Sequence, residues 1–176
     1  STGGAKMAYR AVSAHALVRK QFGVSIGTFE GIEEPLASLG AITYSLEAMR
    51  KFTCGALDKG IKPPVITAMQ KYYSTELARK ACIQGMDIMG GNGISMGPRN
   101  ILGETYMATP IGITVEGANI MTRTLIIFGQ GALRCHPYAF DEVRTLEAKD
   151  AKGFDKAFFG HIGHVVRNLC RSILFS

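Results

Sequence analysis

Four cysteines, Cys54, Cys82, Cys135 and Cys170, are scattered through 176 residues without one Cys-x-x-Cys pair, so neither a zinc ribbon nor a dense disulfide framework is indicated. They are expected as buried free thiols of a reducing compartment. No uninterrupted apolar run reaches the length of about eighteen residues that suggests a membrane span. Ser1 is preceded by neither an initiator methionine nor a basic-plus-apolar leader, which leads us to expect a piece of a longer protein. Basic residues occur singly or in pairs such as Arg19-Lys20 and Arg50-Lys51, not as a stripe interleaved with aromatics, which argues against nucleic-acid binding. Internal repeats and low-complexity tracts are lacking, and β patterning is negligible.

What the chain does have is apolar residues at 47%, enough for a real core, beside only 19% charged residues and 21 glycines. The net charge of +6 suits an anionic partner, whether a phosphate-bearing cofactor, an acidic membrane surface or nucleic acid. Helical periodicity dominates. Residues from Ala5 to about Phe22 are alanine-rich and close on Arg19, Lys20 and Gly23. From Gly31 to Lys59, Ile32, Leu36, Leu39, Ile42, Leu46, Met49 and Phe52 recur at steps of three and four. After Pro63-Pro64 a second long helix carries Ile66, Met69, Tyr73, Leu77, Ala81 and Ile88 as far as Gly90-Gly91-Asn92-Gly93. Two long helices with a short link should lie antiparallel.

A shorter helix is expected to reach about Met107, with Thr109-Pro110 opening an irregular stretch to Glu116. Gly117 to Leu133 is apolar on nearly every side and is expected as a helix buried in the bundle or in an interface. Residues 141–152 look charged and linker-like, and Phe154, Phe158, Ile162, Val165 and Leu169 mark a last amphipathic helix. The expected fold is all-α: an antiparallel four-helix-type bundle over residues 1–137, and an additional C-terminal helix in a further region over 138–176.

Three clusters could carry chemistry. Arg19-Lys20-Gln21-Phe22-Gly23 is either an ordinary helix end or a cationic turn. Gly90-Gly91-Asn92-Gly93 could let the backbone approach a ligand, but it follows a helix with no preceding strand, so it is not the dinucleotide fingerprint. Thr114-Val115-Glu116-Gly117-Ala118-Asn119 sets a carboxylate in apolar sequence. That carboxylate either neutralises a helix N-terminus or serves as a base whose proton affinity rises on desolvation. His161 and His164 stand three apart without a nearby third ligand and are expected as packed or surface histidines, not as a metal site. No metal is expected.

In this order and at these separations the three clusters resemble the C-terminal domain of the acyl-CoA dehydrogenase family. Its members carry an arginine-x-x-phenylalanine-glycine turn, a glutamine-isoleucine-phenylalanine-glycine-glycine-x-glycine loop and a tyrosine-glutamate-glycine-threonine segment. Gly31-Ile32-Glu33-Glu34-Pro35 and the run from Ile127 to Pro137 are similar to the large bacterial branch of fatty-acid β-oxidation, whose extra C-terminal region would begin near 138.

The resemblance implies FAD as cofactor, with Arg19, Gln21, Phe22, Asp87, Gly90 and Gly91 on the cofactor, Arg19 facing the pyrophosphate of a neighbouring subunit. It implies Glu116 as the base that takes the α-proton of a fatty acyl-CoA, Glu116 and Gly117 as substrate contacts, and trans-2-enoyl-CoA as product. It also implies a homo-oligomer and electron-transfer flavoprotein as electron acceptor. A related acyl-CoA oxidase and a non-catalytic helical module stay open as alternatives. The expected location is cytoplasmic, with peripheral attachment to the inner membrane through the basic, aromatic segment 154–175 as an option. The sequence departs from the family pattern at Asp87, where a glutamine is usual, and at Ala118, where a hydroxyl is usual. The spacing between Gly91 and Glu116 is two residues longer than in mitochondrial members.

Overall fold

The computed structural model describes residues 1–175, which divide into two compact units, Ser1–Arg123 and the residues from Thr124 onward. The first unit opens with helix α1 (Thr2–Val18), whose alanines explain its role. Ala5, Ala8, Val12 and Ala16 fall on one stripe and are buried, and their small side chains bring α1 close to its neighbours. A two-residue hairpin follows, β1 (Lys20–Gln21) against β2 (Val24–Ser25), then a 3-10 turn over Ile26–Thr28. Helices α2 (Glu30–Asp58) and α3 (Pro64–Met89) form the long pair, α4 (Gly91–Ile94) is a single turn, and α5 (Gly103–Thr114) completes the bundle. This is the all-α bundle expected.

The core gathers Val12 of α1, Leu39, Ile42 and Leu46 of α2, Cys82 and Ile88 of α3, and Leu102 at the start of α5. Outside it the expected apolar stripes run on exposed. Phe52, Ile66, Met69 and Tyr73 are not core residues but sit around an apolar cleft of about 460 Å3 between the distal halves of α2 and α3.

Four local expectations need correction. The first helix ends at Val18, not near Phe22, because the hairpin turns the chain back and the Ser25 hydroxyl donates to the α1 carbonyls of Ala16 (2.6 Å) and Leu17 (3.0 Å). Pro110 does not end α5. Proline withdraws the amide that would serve the Tyr106 carbonyl, and the Thr109 hydroxyl donates to that carbonyl instead at 2.8 Å. Residues 141–152 are not a linker: most of them belong to a helix over Ala139–Glu147, which carries an Arg144–Asp141 ion pair at 3.1 Å. Of the cysteines, Cys82 alone is buried, its thiol donating to the Leu102 carbonyl and pushed up in pKa by desolvation, while Cys54, Cys135 and Cys170 are exposed.

Past α5 the chain forms a turn, one helical turn α6 (Asn119–Met121) and a π-helical stretch over Thr122–Gln130. Its apolar residues are not buried by this chain, Phe128 being 76% exposed, so the bundle-core half of the expectation fails. In the second unit α7 (Gly131–Cys135) leads to α8 (Ala139–Glu147), which pairs with α9 (Ala151–Leu174) across a three-residue turn. His136 Nδ1 accepts the amides of Tyr138 (3.3 Å) and Ala139 (3.1 Å), capping α8, and Asp150 caps α9 through the Gly153 amide. His161 pairs with Glu142 at 2.8 Å.

Asn100 joins the glycine loop to α5. Its amide donates to the Gly93 carbonyl (2.8 Å) while its oxygen accepts the amides of Leu102 (3.1 Å) and Gly103 (2.8 Å), and the residue is 8% exposed. Asn100→Ala is expected to lower the unfolding free energy by about 2 kcal/mol, read by denaturant titration, because it leaves buried backbone groups without partners.

Candidate functional site

The first cluster lies where α1 gives way to the hairpin. Gln21 pairs with Val24, so the turn consists of Phe22 and Gly23, at φ +53° and +83°. Two positive φ values are what a type I′ turn needs, and asparagine-glycine is its usual sequence. An aromatic there is strained, and Phe22 is 94% exposed at the tip. Its ring meets Phe29 edge-on, with centroids 6.4 Å apart, and otherwise faces solvent.

Beneath the hairpin an open cleft of about 760 Å3 is walled by His15, Arg19, Lys20, Asn92 and Arg99 among others, and among the described residues no carboxylate lines it. Arg19 and Lys20 are exposed at the C-terminal end of α1, where cations also complement the helix dipole. The glycine loop supplies the far wall. Gly90 takes φ +57° with ψ −131°, a backbone state that L side chains rarely adopt, and it turns the chain directly from α3 into α4. Gly93 is required for a different reason. A Cβ there would stand 2.8 Å from the Met86 carbonyl, so Asn92 can reach the cleft only because α4 lies tight against α3.

The expected cofactor residues therefore do not all meet. Arg19 lines the cationic cleft, Gln21 and Phe22 form the hairpin above it, and Gly91 begins α4 with open space where a Cβ would be. Asp87 and Gly90 instead line a separate hollow with Ile83, Met86, Ile94 and Tyr106. The Asp87 carboxylate is thus kept out of the cationic cleft. His15, Asn92 and Arg99 were not expected there. His15 stands one helical turn before Arg19 and could have been found from that spacing, whereas Arg99 is brought in only by the tertiary fold.

Glu116 stands on the turn after α5, exposed, at φ +56°, followed by Gly117 at φ +84°. The helix that follows starts at Asn119 with Ala118 as its N-cap and no acidic residue in its first turn. Glu116 therefore stands two residues before that N-cap, outside the first turn of the helix. Its desolvation is not supplied by this chain's own packing.

The turn is held from below by α3. Lys71 Nζ donates to the Gly117 carbonyl and to Asn119 Oδ1, both at 2.6 Å, and the Thr122 hydroxyl donates to the Gly117 carbonyl at 3.1 Å. Asn119, 2% exposed, donates in turn to Thr75 Oγ1 (2.8 Å) and Glu76 Oε1 (3.0 Å). Thr122 thus places a hydroxyl on this turn although Ala118 lacks one. Among the described residues no cluster of three or more histidine, cysteine or acidic side chains could hold a metal.

Comparison with known proteins sets these features in a family. Residues 1–129 match the family described as "Acyl-CoA dehydrogenase, C-terminal domain", and residues 133–176 match "Acyl-CoA dehydrogenase, C-terminal, bacterial type". The mouse mitochondrial very long-chain specific acyl-CoA dehydrogenase is 34% identical over 115 residues, 64% of this chain and 17% of that protein. The chain thus spans under a fifth of the length of that relative. Among solved structures, the FAD complex of PigA aligns with a TM-score of 0.69 at 21% identity, covering 76% of this chain and 34% of that one. The acyl-CoA dehydrogenase of Geobacillus kaustophilus aligns at 0.68 and 20% identity, covering 73% and 33%. These structural likenesses establish the fold.

Proposed function

The chain belongs to the acyl-CoA dehydrogenase family, and from that membership we propose that it carries the base and part of the flavin site of an enzyme oxidising a fatty acyl-CoA to the trans-2-enoyl-CoA. The observation that carries this reading is Glu116: an exposed carboxylate on a left-handed turn that three side chains hold in place.

The residues present fit FAD. A pyrophosphate needs cations and hydrogen-bond donors without a competing carboxylate, and the cleft of Arg19, Lys20, Asn92 and Arg99 has that character. The Phe22 ring at the hairpin tip suits a planar heterocycle such as adenine. When bound, FAD supplies the acceptor for the hydride that leaves the substrate's β-carbon.

This chain's own contribution is the base that accepts the α-proton. An α-hydrogen of a thioester becomes acidic only when charge building on the carbonyl oxygen meets preorganised donors. The backbone amide of Glu116 forms no hydrogen bond among the described residues, so Glu116 can offer its amide to the thioester oxygen and its carboxylate to the α-proton. The exposed apolar residues around the α2–α3 cleft support assembly of several copies, and electron-transfer flavoprotein as oxidant rests on the family resemblance.

Anaerobic mixing of the intact flavoprotein with saturated acyl-CoA thioesters tests the reading. Bleaching of the flavin with formation of trans-2-enoyl-CoA is expected, and absence of bleaching across chain lengths would overturn it. Phe22→Asn should separate the hairpin's two roles. Relief of the strained turn is expected to raise stability by about 1 kcal/mol, while loss of the ring lowers the fraction of FAD retained on desalting.

A further inference from the structure

We propose that Lys71 and Asn119 are positioning residues that fix the Glu116–Gly117 turn against α3 and so set where the Glu116 carboxylate stands, an inference that rests on Glu116 being the base. Two consecutive residues at positive φ, one of them not glycine, do not hold that state by themselves. The surroundings must impose it. Here the Gly117 carbonyl is gripped twice, by the Lys71 ammonium at 2.6 Å and the Thr122 hydroxyl at 3.1 Å.

Lys71 and Thr75 lie one turn apart on α3 and so share a face, with Glu76 beside Thr75 at its edge. Asn119 docks onto that face with its oxygen toward Lys71 and its amide toward the Thr75 hydroxyl and the Glu76 carboxylate. The orientation is dictated by charge, since the flipped amide would oppose NH2 to ammonium and oxygen to carboxylate. Glu76 is itself fixed by Arg79 at 2.6 Å. The chain of contacts Arg79–Glu76–Asn119–Lys71–Gly117 alternates charge and polarity at each step and leaves the turn one arrangement. Only Asn119 of this chain of contacts is buried, and it ties the partly exposed charges together, each member having its partner. Neither Lys71 nor Asn119 is placed to take a proton from substrate, and their effect is through the turn.

The test compares Lys71→Met, Lys71→Arg, Asn119→Ala and Glu116→Gln in the intact, FAD-loaded protein. Hydrogen exchange of the amides of residues 115–122 reads the turn directly. Single-turnover flavin reduction by acyl-CoA and by its α-deuterated form reads the chemistry, and binding of the product enoyl-CoA reads the cleft. In Lys71→Met and Asn119→Ala the turn amides are expected to exchange faster. Flavin reduction should slow by about a hundredfold, the cost of a misplacement near 1 Å, with enoyl-CoA binding weakened by far less, since only the share contributed by the Glu116 amide moves with the turn. The α-deuterium isotope effect should grow as proton removal comes to limit the rate. Lys71→Arg, which keeps a charged donor, should recover most of the rate. Should Lys71→Met fail to fold, Asn119→Ala carries the same readings. Unchanged turn exchange, or faster exchange with an unchanged reduction rate, would overturn the proposal. Undiminished reduction in Glu116→Gln would instead remove the base assignment, while the exchange data would still show whether Lys71 holds the turn.

Discussion

Glu116→Gln is expected to slow flavin reduction by saturated acyl-CoA by roughly a thousandfold, within the range for loss of a general base. Glutamine preserves the shape of the side chain but cannot accept the α-proton. The carboxylate is exposed and forms no hydrogen bond or ion pair among the described residues, so its loss leaves no partner stranded and the variant should melt as the parent does. Affinity for enoyl-CoA should persist, because the amide that would serve the thioester oxygen belongs to the backbone. Glu116→Asp offers a finer reading. It retains the base but withdraws it by about one bond length, and a displacement of that order costs about a hundredfold when the reacting atoms must be in contact. The ordering parent, aspartate, glutamine in stopped-flow rates checks the assignment. A glutamine variant that bleaches at the parental rate would place the base elsewhere.

The second large effect is expected at Arg19. Arg19→Ala should weaken FAD binding by about tenfold to a hundredfold, the loss of one charge-assisted contact to phosphate. The fold should be spared, because Arg19 caps α1 through its backbone amide, which donates to the His15 carbonyl at 2.8 Å whatever the side chain. Arg19→Lys should recover only part of the affinity, since an ammonium restores the charge but not the planar fork. Fluorescence titration of the apoprotein with FAD measures all three. Arg99→Ala, at the same cleft wall, should act in the same direction. Parental FAD affinity in both alanine variants would remove the cleft from the cofactor site.

The long helices α2 and α3 were legible in the sequence because the three-and-four spacing of Leu39, Ile42, Leu46, Ala81 and Ile88 is a local pattern that the core then uses. The hairpin over Lys20 to Ser25 was not, because a phenylalanine occupies the turn position where asparagine would have announced it. Pro110 misled for a similar reason: its usual helix-breaking consequence is offset by the Thr109 hydroxyl one residue before it. At the site, Glu116 could be singled out from its neighbours, yet the residues alone left it between a helix-end charge and a base. The fold adds that Glu116 stands two residues before the N-cap of α6 and not in its first turn. Lys71 gave no signal at all. Its partners Gly117 and Asn119 are 46 and 48 residues away, and no local spacing encodes a contact of that separation.

The continuity of α5 through Pro110 has one more consequence, which concerns rotational phase. Asn100 anchors one end of this helix and Glu116 leaves the other two residues beyond its last turn. An unbroken helix turns about 100° and advances about 1.5 Å with each residue. Two extra residues inside α5 would therefore swing the carboxylate through about 200° and carry it some 3 Å onward. The same two residues placed in the irregular segment between Ile94 and Gly103 would leave the carboxylate's bearing untouched. The helix behaves as an indexed shaft: length can change in the loop that feeds it, but not along it.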